Sequence, residues 1–599
     1  MDEQLKAAGG VAGEIAEYLV AQGIQRVYSL PGSHMKPIWH ELDARGVTVV
    51  STRHEVAAVH MAQAEAELRG QVAVAIVTAG PGLTNAVTGL ASAYVARSPI
   101  LVISTSPPAE QAGMGALEEV DQMALVRPVC RFARSVRSAR HVLDALDQAV
   151  SAALGDDATS GPAFVEFDSR LLRSPRVRPY ATYPRRARAP KHADPAAVAD
   201  AAAVLSASTR PLVVAGREAL GIPDLVSAFV EATGALYLDT RESKGALTDA
   251  IPSSVPAMRA RAMAEADLVI TIDRALDFEV AYGSPAVFRG ARRFLRIGRN
   301  SQQVLANRRG DVEVRADASS ALHALLRANA APVHLDRTWR DELLRGNADK
   351  RASLARRMRE SVADPAGGLH PYQVIDAVNA HVTDDAIVIV DGGDILSWAR
   401  SSLRAPTYLD VGPFGCLGVG VPSAIAAAVN YPDRRVIALV GDGSLGFNVM
   451  ELETAARVGA RIVVVVANNS AWNIERAHQV LNYRGRIIGT ETGYCAYDRL
   501  AESLGVRGFH VENASVLPGV LAEAFASAPA VVDVRVSRDP ASPDTRSGLA
   551  EIPEYHALAA WDDAERAWLC DAVGGTDGGT HSDTRSGSAD DVTPDRYPS

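Results

Sequence analysis

Short apolar runs recur along this chain, and segments with apolar residues at helical spacing separate them. The runs that we predict as strands are residues 26–30, 47–51, 72–77, 99–105, 211–215, 235–239, 268–272, 293–297, 312–314, 386–390, 436–440, 462–466 and 531–536. The clearest helical segments are residues 11–22, 56–68, 196–206 and 449–458. Strands that alternate with helices through short connections are typical of parallel sheets with helices on both faces.

Two segments interrupt this alternation. Residues 176–191 are rich in proline and arginine and lack apolar periodicity, so we expect a domain boundary there. Residues 330–367 are strongly charged and helical in spacing, which predicts an exposed linker helix. The predicted fold is therefore α/β, with three doubly wound parallel-sheet domains at residues 1–180, 192–330 and 368–540.

The C-terminal end differs from the rest of the chain. Residues 541–573 include Tyr555, Trp561 and Trp568, and such aromatic side chains are unfavourable when exposed to water. We therefore predict a C-terminal helical segment that docks on the body or on a partner chain, either as a lid or as a packing arm. Residues 574–599 are rich in glycine, serine, threonine and aspartate, which predicts a disordered tail.

The most informative polar residues lie between 436 and 474. One predicted strand ends at Gly441-Asp442-Gly443-Ser444, and the next ends at Asn468-Asn469. Ligands of open parallel sheets bind at such strand ends. Glycines allow close backbone approach, a helix start offers free N–H groups, and a few oxygen ligands suit Mg2+. The pattern predicts a magnesium diphosphate site; the alternative is a tight turn and an ordinary loop.

The stretch GDGSLGFNVMELETAARVGARIVVVVANN resembles the thiamine diphosphate motif of the decarboxylase and acetohydroxyacid synthase superfamily. This resemblance implies thiamine diphosphate and Mg2+ as cofactors, in a diphosphate-binding domain at residues 368–540. It implies that Asp442, Asn469 and the carbonyl of Ala471 bind the metal. The residues that we expect at the cofactor are Gly393, Asp394, Gly415, Leu417, Gly441, Asp442, Gly443, Ser444 and Asn469. Of these, Gly415 would offer its carbonyl to the 4′-amino group and Leu417 would bend the cofactor.

Glu55 stands at the end of a predicted strand and at the start of a helix. From the residues alone, a carboxylate favoured by the helix dipole is the simpler interpretation. However, residues 53–94, RHEVAAVHMAQAEAELRGQVAVAIVTAGPGLTNAVTGLASAY, resemble the pyrimidine-binding domain of the same superfamily. The resemblance implies that Glu55 hydrogen-bonds to N1′ of the aminopyrimidine and moves protons there. It also implies a homodimer or homotetramer with the cofactor at the chain interface.

Other candidates for catalysis lie in loops. His34 follows the first strand and is either a proton donor or substrate contact, or a solvated histidine. Glu118 lies in the glycine-hinged loop GMGALEEVDQ, where the superfamily often places an acidic or amide side chain near the cofactor. Glu491 lies on the substrate side by resemblance, either as an acid–base group or as a surface carboxylate.

Residues 192–330 resemble the superfamily's middle domain, which binds FAD in some members and ADP in others and is structural elsewhere. Members that bind nucleotide usually carry an acidic residue where this chain has Gly298 and Arg299. Arg217, Arg274 and Arg299 are candidates to meet an anionic nucleotide such as ADP. Solvated surface arginines are the alternative interpretation.

Composition narrows the class of partner. The net charge is -10 and the isoelectric point is near 5.8, which argues against nucleic acid or an anionic membrane as the main partner. No apolar run is long enough to span a bilayer, and residues 1–10 lack the apolar core of a signal peptide. The four cysteines are scattered without a CxxC pair, which favours a cytoplasmic location.

Three stretches resemble the 2-hydroxyacyl-CoA lyase and oxalyl-CoA decarboxylase branch: ALEEVDQ (116–122), DVGPFGCLGVG (410–420) and GFNVMELET (446–454). They imply cleavage of a small 2-hydroxyacyl-CoA, such as 2-hydroxyisobutyryl-CoA, to formyl-CoA and a ketone or aldehyde. PGSHMKPIW (31–39) resembles the 2-oxoacid decarboxylases and acetolactate synthase-like carboligases equally well. A catalytically silent regulatory paralogue is a third hypothesis, against which the intact Glu55, Asp442 and Asn469 argue.

Overall fold

The computed structural model describes residues 9–547, apart from residues 157–158, 178–182, 246, 248–249 and 365–366, together with residue 567. The predicted tail at 574–599 lies outside the described residues. The predicted C-terminal arm at 541–573 lies outside them as well, except for residues 541–547 and residue 567. The described residues form three parallel sheets.

The first sheet is built from residues between 26 and 168. Its strands are β1 Arg26–Ser29, β2 Thr48–Ser51, β3 Ala73–Ile76, β4 Ile100–Ser106, β5 Phe132–Val136 and β6 Ala163–Asp168, in the spatial order β2-β1-β3-β4-β6-β5. Its helices are α1 Val11–Ala21, α2 Lys36–Asp43, α3 Glu55–Arg69, α4 Pro81–Ala96, α5 Gln122–Val126 and α6 Val142–Leu154. Because the strand order reverses between β1 and β3, a crevice forms at their carboxyl ends.

The second sheet has the order β11-β10-β9-β7-β8. Its strands are β7 Pro211–Ala215, β8 Leu236–Leu238, β9 Leu268–Ile272, β10 Arg293–Ile297 and β11 Val312–Val314. The helices around it are α7 Pro195–Ser206, α8 Pro223–Thr233, α9 Arg259–Glu265, α10 Ser301–Leu305 and α11 Ala318–Arg327. A long charged helix, α12 Arg337–Glu360, follows it, where the charge pattern predicts a linker helix.

The third sheet has the order β13-β12-β14-β15-β17-β16. Its strands are β12 Ile387–Asp391, β13 Thr407–Asp410, β14 Val436–Gly441, β15 Ile462–Asn468, β16 Arg507–Val511 and β17 Ala530–Arg535. Its helices are α13 Pro371–Asn379, α14 Asp394–Ser402, α15 Gly420–Asn430, α16 Asp442–Asn448, α17 Glu451–Val458, α18 Asn473–Asn482, α19 Tyr497–Ser503, α20 Leu517–Ala526 and α21 Pro543–Ser547. The strand order reverses between β12 and β14, so the predicted metal-site residues lie at the crevice.

Three parallel sheets with helices on both faces in the described part of the chain confirm the predicted fold class. The predicted helix over 449–458 differs in detail, because helix already begins at Asp442 and Val449–Met450 separate α16 from α17. The spacing of apolar residues did not predict α16. Its sequence DGSLGFN contains two glycines, and glycine has a low helix propensity. No helix among the described residues is both long enough and apolar enough to cross a membrane.

The first and third sheets share one continuous cluster of buried apolar side chains, in which α3 packs on α15. Small residues such as Ala58 and Ala424 line the cluster and let the helices approach closely. Glu451 at the start of α17 also reaches across, because its Oε1 accepts hydrogen bonds from the backbone N–H groups of Arg53 (2.8 Å) and His54 (3.1 Å). The third sheet therefore helps to position the start of α3, where Glu55 lies.

Buried ion pairs hold the second sheet against the other two. Glu242 pairs with Arg97 of the first domain and lies 3.4 Å from Arg274 Nη1, while Arg241 lies 3.6 Å from Asp410 of the third domain. Burial by itself would raise the pKa of Glu242, but the surrounding guanidinium groups outweigh it and lower the pKa to about 2. The network therefore keeps Glu242 ionised inside the protein.

We expect Glu242→Gln to lower the free energy of unfolding at pH 7 by about 3–5 kcal/mol, because it removes the carboxylate that pairs with Arg97 inside the protein. The control is Glu523→Gln, which removes an exposed ion pair to Arg507 and should cost less than about 1 kcal/mol. The pKa of Glu242 is lower when folded, at about 2, than its ordinary value of 4.5. Its stabilisation is therefore complete above pH 4.5 and is lost as the pH falls through 2. Denaturant titrations that show equal losses for the two variants would contradict this interpretation.

Candidate active site

Asp442 and Asn469 lie directly after β14 and β15, and both are buried. Burial raises the pKa of Asp442 to about 6, although backbone N–H groups that include those of Asn469 and Ala471 hydrogen-bond to its carboxylate and lower it. The carboxylate therefore faces the 469–471 turn. The structure brings together the three residues that the sequence predicts as metal ligands.

The 469–471 turn has a defined shape. Ser470 adopts a positive φ of 55°, and the Ala471 N–H donates to Asn469 Oδ1 at 3.1 Å. The turn is further held by an antiparallel bridge between Ala471 and Glu491. An amide oxygen has two lone pairs, so Asn469 Oδ1 retains one for a second partner.

These residues fit a divalent cation. The donor set consists of a buried carboxylate, an amide oxygen and a nearby backbone carbonyl, which are the hard oxygen ligands that Mg2+ prefers. No ion pair joins Asp442 to a basic side chain within the described residues, and its raised pKa reflects that uncompensated burial. A bound cation would offset this electrostatic cost.

Trp472 packs directly on the Gly443 backbone. A Cβ placed on Gly443 would lie 2.5 Å from the Trp472 ring, so only glycine fits at this position. The ring also makes an edge contact with Phe447, with centroids 6.2 Å apart. Gly443 thus joins the two halves of the motif through Trp472, a residue that the sequence prediction missed because the contact is tertiary.

Ser444 and Asp391 organise the crevice between β12 and β14. Ser444 Oγ donates to the backbone carbonyls of Asp391 and Gly441, each at 3.0 Å. The Asp391 carboxylate accepts from the N–H groups of Gly418 (3.0 Å) and Gly420 (2.8 Å), and burial raises its pKa to about 7. Asp391 therefore anchors the 412–420 loop, a role that its sequence position did not reveal.

Gly393 and Asp394 lie against the start of α18. A Cβ on Gly393 would approach the Ile474 side chain to 2.7 Å. Asp394 Oδ2 accepts from Asn473 Nδ2 at 3.1 Å, whereas its buried Oδ1 has no hydrogen-bond partner among the described residues. Burial raises the pKa of Asp394 to about 6. The crevice thus contains a polar atom available to a ligand or to water.

Gly415 and Leu417 lie on the loop that Asp391 anchors. Gly415 has a φ of 69°, and a Cβ there would meet nothing within 4 Å, so its backbone faces open space. Leu417 is partly buried against the apolar cluster of the third sheet. Both positions are compatible with the predicted cofactor contacts, which stay predictions.

Glu55 is the first residue of α3 and only 6% exposed. Its Oε2 accepts a hydrogen bond from Asn85 Nδ2 at 3.0 Å. Gly82 lies beneath it: a Cβ there would be 3.6 Å from Glu55 Oε1 and 2.7 Å from the Thr78 methyl group. The sequence prediction missed Asn85, which meets Glu55 only because α3 and α4 converge. It also missed Thr78, which lies on the other side of Gly82 from Glu55.

His34 and Glu118 lie on the other side of Thr78. His34 Nδ1 is 3.5 Å from Glu118 Oε2, and Thr78 Oγ1 donates to the same oxygen at 3.2 Å. Glu118 has a φ of 65°, a left-handed conformation that costs on the order of 1 kcal/mol. Its backbone presses on Gly80, where a Cβ would lie 2.7 Å from the Glu118 carbonyl oxygen. The structure therefore brings His34 and Glu118 together beside Thr78, and Gly82 lies between the Thr78 methyl group and Glu55.

Glu119 holds the loop that carries Glu118. Its carboxylate accepts from the backbone N–H groups of Gly113 (2.6 Å), Gly115 (3.2 Å) and Ala116 (3.0 Å), and these bonds lower its pKa. The neighbouring glutamates of this loop therefore differ in role, because Glu119 faces its own loop and Glu118 faces the crevice.

Glu491 lies apart from this cluster. It accepts from Arg476 Nε at 3.2 Å and from Arg538 Nη1 at 3.1 Å, and its side chain is 51% exposed. Its contacts thus connect it to the surface beside the metal-site turn rather than to His34 or Glu118. The acid–base role remains a prediction for which this geometry supplies no support.

The three arginines that we predict as candidate nucleotide contacts form ion pairs with carboxylates of the protein. Their carboxylate partners are Glu67 for Arg217 (3.2 Å), Asp277 and Glu279 for Arg274 (2.6 and 2.7 Å) and Asp317 for Arg299 (2.9 Å). A cleft of about 1050 Å³ between the three sheets is lined by Arg217 and Arg299, but by none of the predicted catalytic or metal-site residues. Because these cations are already neutralised, the structure gives no support to the predicted ADP site.

Each of the three sheets lies largely within a segment that matches a known protein family. Residues 11–125 match the N-terminal TPP binding domain of thiamine pyrophosphate enzymes, residues 198–325 match the central domain, and residues 391–534 match the C-terminal TPP binding domain. The first match contains Glu55, and the last contains Asp442 and Asn469. The two halves of the site thus fall in the two domains described as TPP binding.

Several named proteins are similar to this chain over most of its length. A 2-hydroxyacyl-CoA lyase 2 from Caenorhabditis elegans is 31% identical over 88% of this chain and 88% of its own length. The protein of that name from Homo sapiens is 31% identical over 88% of this chain and 89% of its own. An acetolactate synthase large subunit from Mycobacterium tuberculosis is 32% identical over 90% of this chain and 97% of its own.

Proposed function

Because the chain belongs to the thiamine pyrophosphate enzyme family, we propose that it is a thiamine diphosphate- and Mg2+-dependent carbon–carbon lyase. Its substrate would be a 2-hydroxyacyl-CoA, such as 2-hydroxyisobutyryl-CoA, and its products formyl-CoA and a ketone or aldehyde. The observation that supports this reaction best is the pair of His34 and Glu118 beside Thr78, with Glu55 across Gly82. The reaction needs a proton acceptor for a hydroxyl group near the cofactor's proton relay.

The cofactor would lie with its diphosphate end at the crevice between β12 and β14. Asp442, Asn469 and the Ala471 carbonyl would hold Mg2+, and the backbone at Gly441, Gly443 and Ser444 would face the diphosphate. Gly393, Asp394, Gly415 and Leu417 would complete its surroundings. When bound, the cofactor supplies a nucleophilic carbon and accepts the electron pair that is released when a carbon–carbon bond breaks.

Glu55 would hold a proton at N1′ of the aminopyrimidine. Its burial supports this role, because a carboxyl group away from water exchanges its proton with the ring rather than with solvent. Asn85 donates to Oε2 and thereby leaves Oε1 on the side of Gly82, where a ring can approach. Asn85 would thus act as a positioning residue.

His34 would take the proton from the substrate's 2-hydroxyl group as the bond between C1 and C2 breaks. Glu118 lies 3.5 Å from His34 Nδ1 and would stabilise the protonated imidazole. The ketone or aldehyde leaves with its new carbonyl, and the formyl carbon takes up one proton before formyl-CoA is released. The proton count is balanced, because the hydroxyl group supplies as many protons as the formyl carbon consumes.

We propose that the active enzyme is a homodimer or homotetramer with the cofactor between chains. Asp442 accepts hydrogen bonds from N–H groups that include those of the 469–471 turn, and Glu55 accepts one from Asn85. The two sets have no partner in common among the described residues. Met114 and Leu117, next to Glu118, are 77% and 76% exposed, which supports an interface at this loop.

Mixing two inactive variants tests the shared site. Glu55→Gln and Asp442→Asn chains, denatured and refolded together, should recover about a quarter of wild-type activity if the site lies across a two-fold interface. Half of the dimers would then be mixed, and each mixed dimer would contain one intact site. Activity no higher than that of the separately refolded variants would place both residues in one chain.

The alternative is a 2-oxoacid decarboxylase or acetolactate synthase-like carboligase, which the similarity to the acetolactate synthase large subunit favours. Mass spectrometry after incubation with thiamine diphosphate, Mg2+ and either 2-hydroxyisobutyryl-CoA or pyruvate separates the two. The lyase should form formyl-CoA and acetone from the first. Acetolactate from pyruvate with the thioester untouched would refute the lyase, and Glu55→Gln protein is the blank for both reactions.

We also place the enzyme in the cytoplasm. Cys130, Cys416 and Cys495 are free thiols in the described structure, and unpaired cysteines are typical of proteins in a reducing compartment.

A further inference from the structure

A second group of side chains of the kinds that bind metals lies on α19, β16 and β17. Asp498, His510 and Asp533 each offer one ligand atom, and these three atoms lie within 4.8 Å of one another. None of them is a predicted ligand of the magnesium site, and the sequence did not single them out because they meet only in the folded chain. We call these three residues the 498–533 cluster.

The register of the third sheet and one glycine bring the cluster together. His510 of β16 lies directly opposite Asp533 of β17, so both side chains project from the same face of the sheet. Asp498 reaches that face because α19 approaches β16 closely at Gly508, where a Cβ would lie 2.1 Å from the Asp498 carbonyl oxygen. Only glycine fits at this position, so the fold itself sets the separation of the three side chains.

The carboxylates of the cluster have little compensation for their charge. Asp533 is fully buried, and Asp498 Oδ1 is buried without a hydrogen-bond partner among the described residues. Burial raises the pKa of Asp533 and the nearby Asp498 carboxylate raises it further, although hydrogen bonds to the carboxylate oppose this effect. In the part of the chain that the structure describes, no lysine or arginine forms an ion pair with either aspartate, and Arg535 stacks over the Tyr494 ring instead. A cation among the three side chains would offset this electrostatic cost.

A hydrogen-bond network through Tyr494 is the alternative interpretation. The Tyr494 hydroxyl donates to Asp533 Oδ2 at 3.1 Å and lies 3.3 Å from His510 Nδ1. It satisfies these two groups, but it makes no hydrogen bond to Asp498 Oδ1. The network therefore leaves one buried carboxylate oxygen unsatisfied beside a second carboxylate, whereas a cation would interact favourably with all three side chains.

The ligand types indicate which cation fits the cluster. One imidazole nitrogen with two carboxylate oxygens suits Zn2+ and related transition metals, whereas Mg2+ prefers oxygen ligands alone. Ligands about 2.0–2.2 Å from one ion lie at most about 4.4 Å apart, so the cluster needs only a small closure from 4.8 Å. The His510 side chain is 34% exposed, so it has room to rotate by that amount.

We propose that Asp498, His510 and Asp533 form a second metal site, which binds a divalent transition-metal cation such as Zn2+. The three side chains provide the negative charge, the imidazole nitrogen and the buried setting that hold such an ion. The site is separate from the predicted magnesium site, whose ligands are other residues. The proposal does not depend on the proposed reaction, because neither the cofactor nor the substrate takes part in it.

The second metal site is connected to the predicted magnesium site on two sides. Asn468 Nδ2 donates to Asp533 Oδ1 at 2.9 Å, and Asn468 directly precedes the predicted ligand Asn469. The hydroxyl of Tyr497, the first residue of α19, donates to the Asp442 carbonyl oxygen at 2.7 Å. An ion in the 498–533 cluster therefore restrains β17 and α19, both of which contact the residues that would hold Mg2+.

Calorimetric titration with Zn2+ tests the site in full-length protein that has been freed of metals with a chelator and then saturated with thiamine diphosphate and Mg2+. We expect one Zn2+ to bind per chain, and Asp498→Asn to weaken this binding by more than about 100-fold. Glu502→Gln is the matched control, because Glu502 is an exposed carboxylate on the same helix. No Zn2+ binding by the wild-type protein, or equal affinity in the two variants, would overturn the proposal.

Asp442→Asn distinguishes the second metal site from the predicted magnesium site. This variant should bind Zn2+ as tightly as the wild-type protein, because Asp442 is not a ligand in the 498–533 cluster. If Asp442→Asn abolishes Zn2+ binding and Asp498→Asn does not, the ion occupies the magnesium site and the proposal fails. Failure of the proposed reaction would leave both titrations unchanged.

Binding of Co2+ as a spectroscopic substitute identifies the ligands. His510→Ala should weaken Co2+ binding and change the visible absorption of the bound ion. Tyr494→Phe removes the hydroxyl of the hydrogen-bond network but no ligand, so it should leave both unchanged. If a thiolate-to-cobalt absorption band appears in the near ultraviolet, a cysteine such as Cys495 holds the ion and the assignment is wrong.

Discussion

Glu55→Gln should lower turnover by about 100- to 10,000-fold, the range that general acid–base groups contribute. Glutamine matches glutamate in size and still offers an oxygen to Asn85 Nδ2, so the local structure should persist. It cannot release a proton to N1′, however, so the cofactor would not be activated. Thiamine diphosphate should still bind with nearly wild-type affinity, because the Asp442 group lies elsewhere.

The measurement combines steady-state turnover at saturating cofactor with calorimetric titration of thiamine diphosphate and Mg2+. Glu67→Gln is the control on the same helix, since Glu67 bonds to Ser98 and Arg217 away from the site. It should retain turnover. If Glu55→Gln retains wild-type turnover, the proton-relay role is wrong. If it loses cofactor binding as well, Glu55 has a structural role.

Asp442→Asn should weaken the binding of Mg2+ and thiamine diphosphate by more than about 100-fold, the upper end of what losing an outer-shell partner costs. Asparagine keeps the shape and can bond to the same turn, but it removes the anionic ligand from a site with no other carboxylate among the predicted ligands. Turnover at limiting cofactor should fall in parallel and recover partly at high Mg2+ concentration.

Binding of Mn2+ as a spectroscopic substitute, followed by electron paramagnetic resonance, measures the effect directly. Asp433→Asn is the matched control, because Asp433 is an exposed aspartate just before the amino end of β14. Equal Mn2+ affinity in the two variants would show that Asp442 is not a metal ligand. The results for Glu55 and Asp442 are complementary, since one variant should bind without turning over and the other should fail to bind.

Several parts of the site could be predicted from local sequence. β-Branched apolar runs are visible one strand at a time, and the polar residues that end them follow directly in the chain. Asp442, Asn469 and Glu55 are therefore identifiable as residues at strand ends. Gly443 was also identifiable as a glycine for close approach, although the side chain that requires it, Trp472, was not.

Other parts depend on residues that are far apart in the chain. Thr78 meets Glu118 across 40 residues, and Asn85 meets Glu55 across 30, and no local pattern marks either contact. Asp391 ends a strand as Asp442 follows one, yet its carboxylate accepts hydrogen bonds from the N–H groups of Gly418 and Gly420. Burial and the competition among hydrogen-bond donors decide such roles.

The charged residues show most clearly which properties follow from the sequence and which follow from the packing. Residue type alone indicated that Arg217, Arg274 and Arg299 carry positive charge, whereas the packing of the three sheets supplied each with a carboxylate. Likewise, residue type made Glu491 a candidate acid–base group, whereas only the packing placed Arg476 and Arg538 on its carboxylate. The sequence by itself determined the strand ends and the polar residue types that follow them, because these depend on neighbours in the chain, and its resemblance to a family indicated the cofactor class. The tertiary structure alone decided which charges are neutralised and which groups meet, because electrostatic and steric interactions act between neighbours in space.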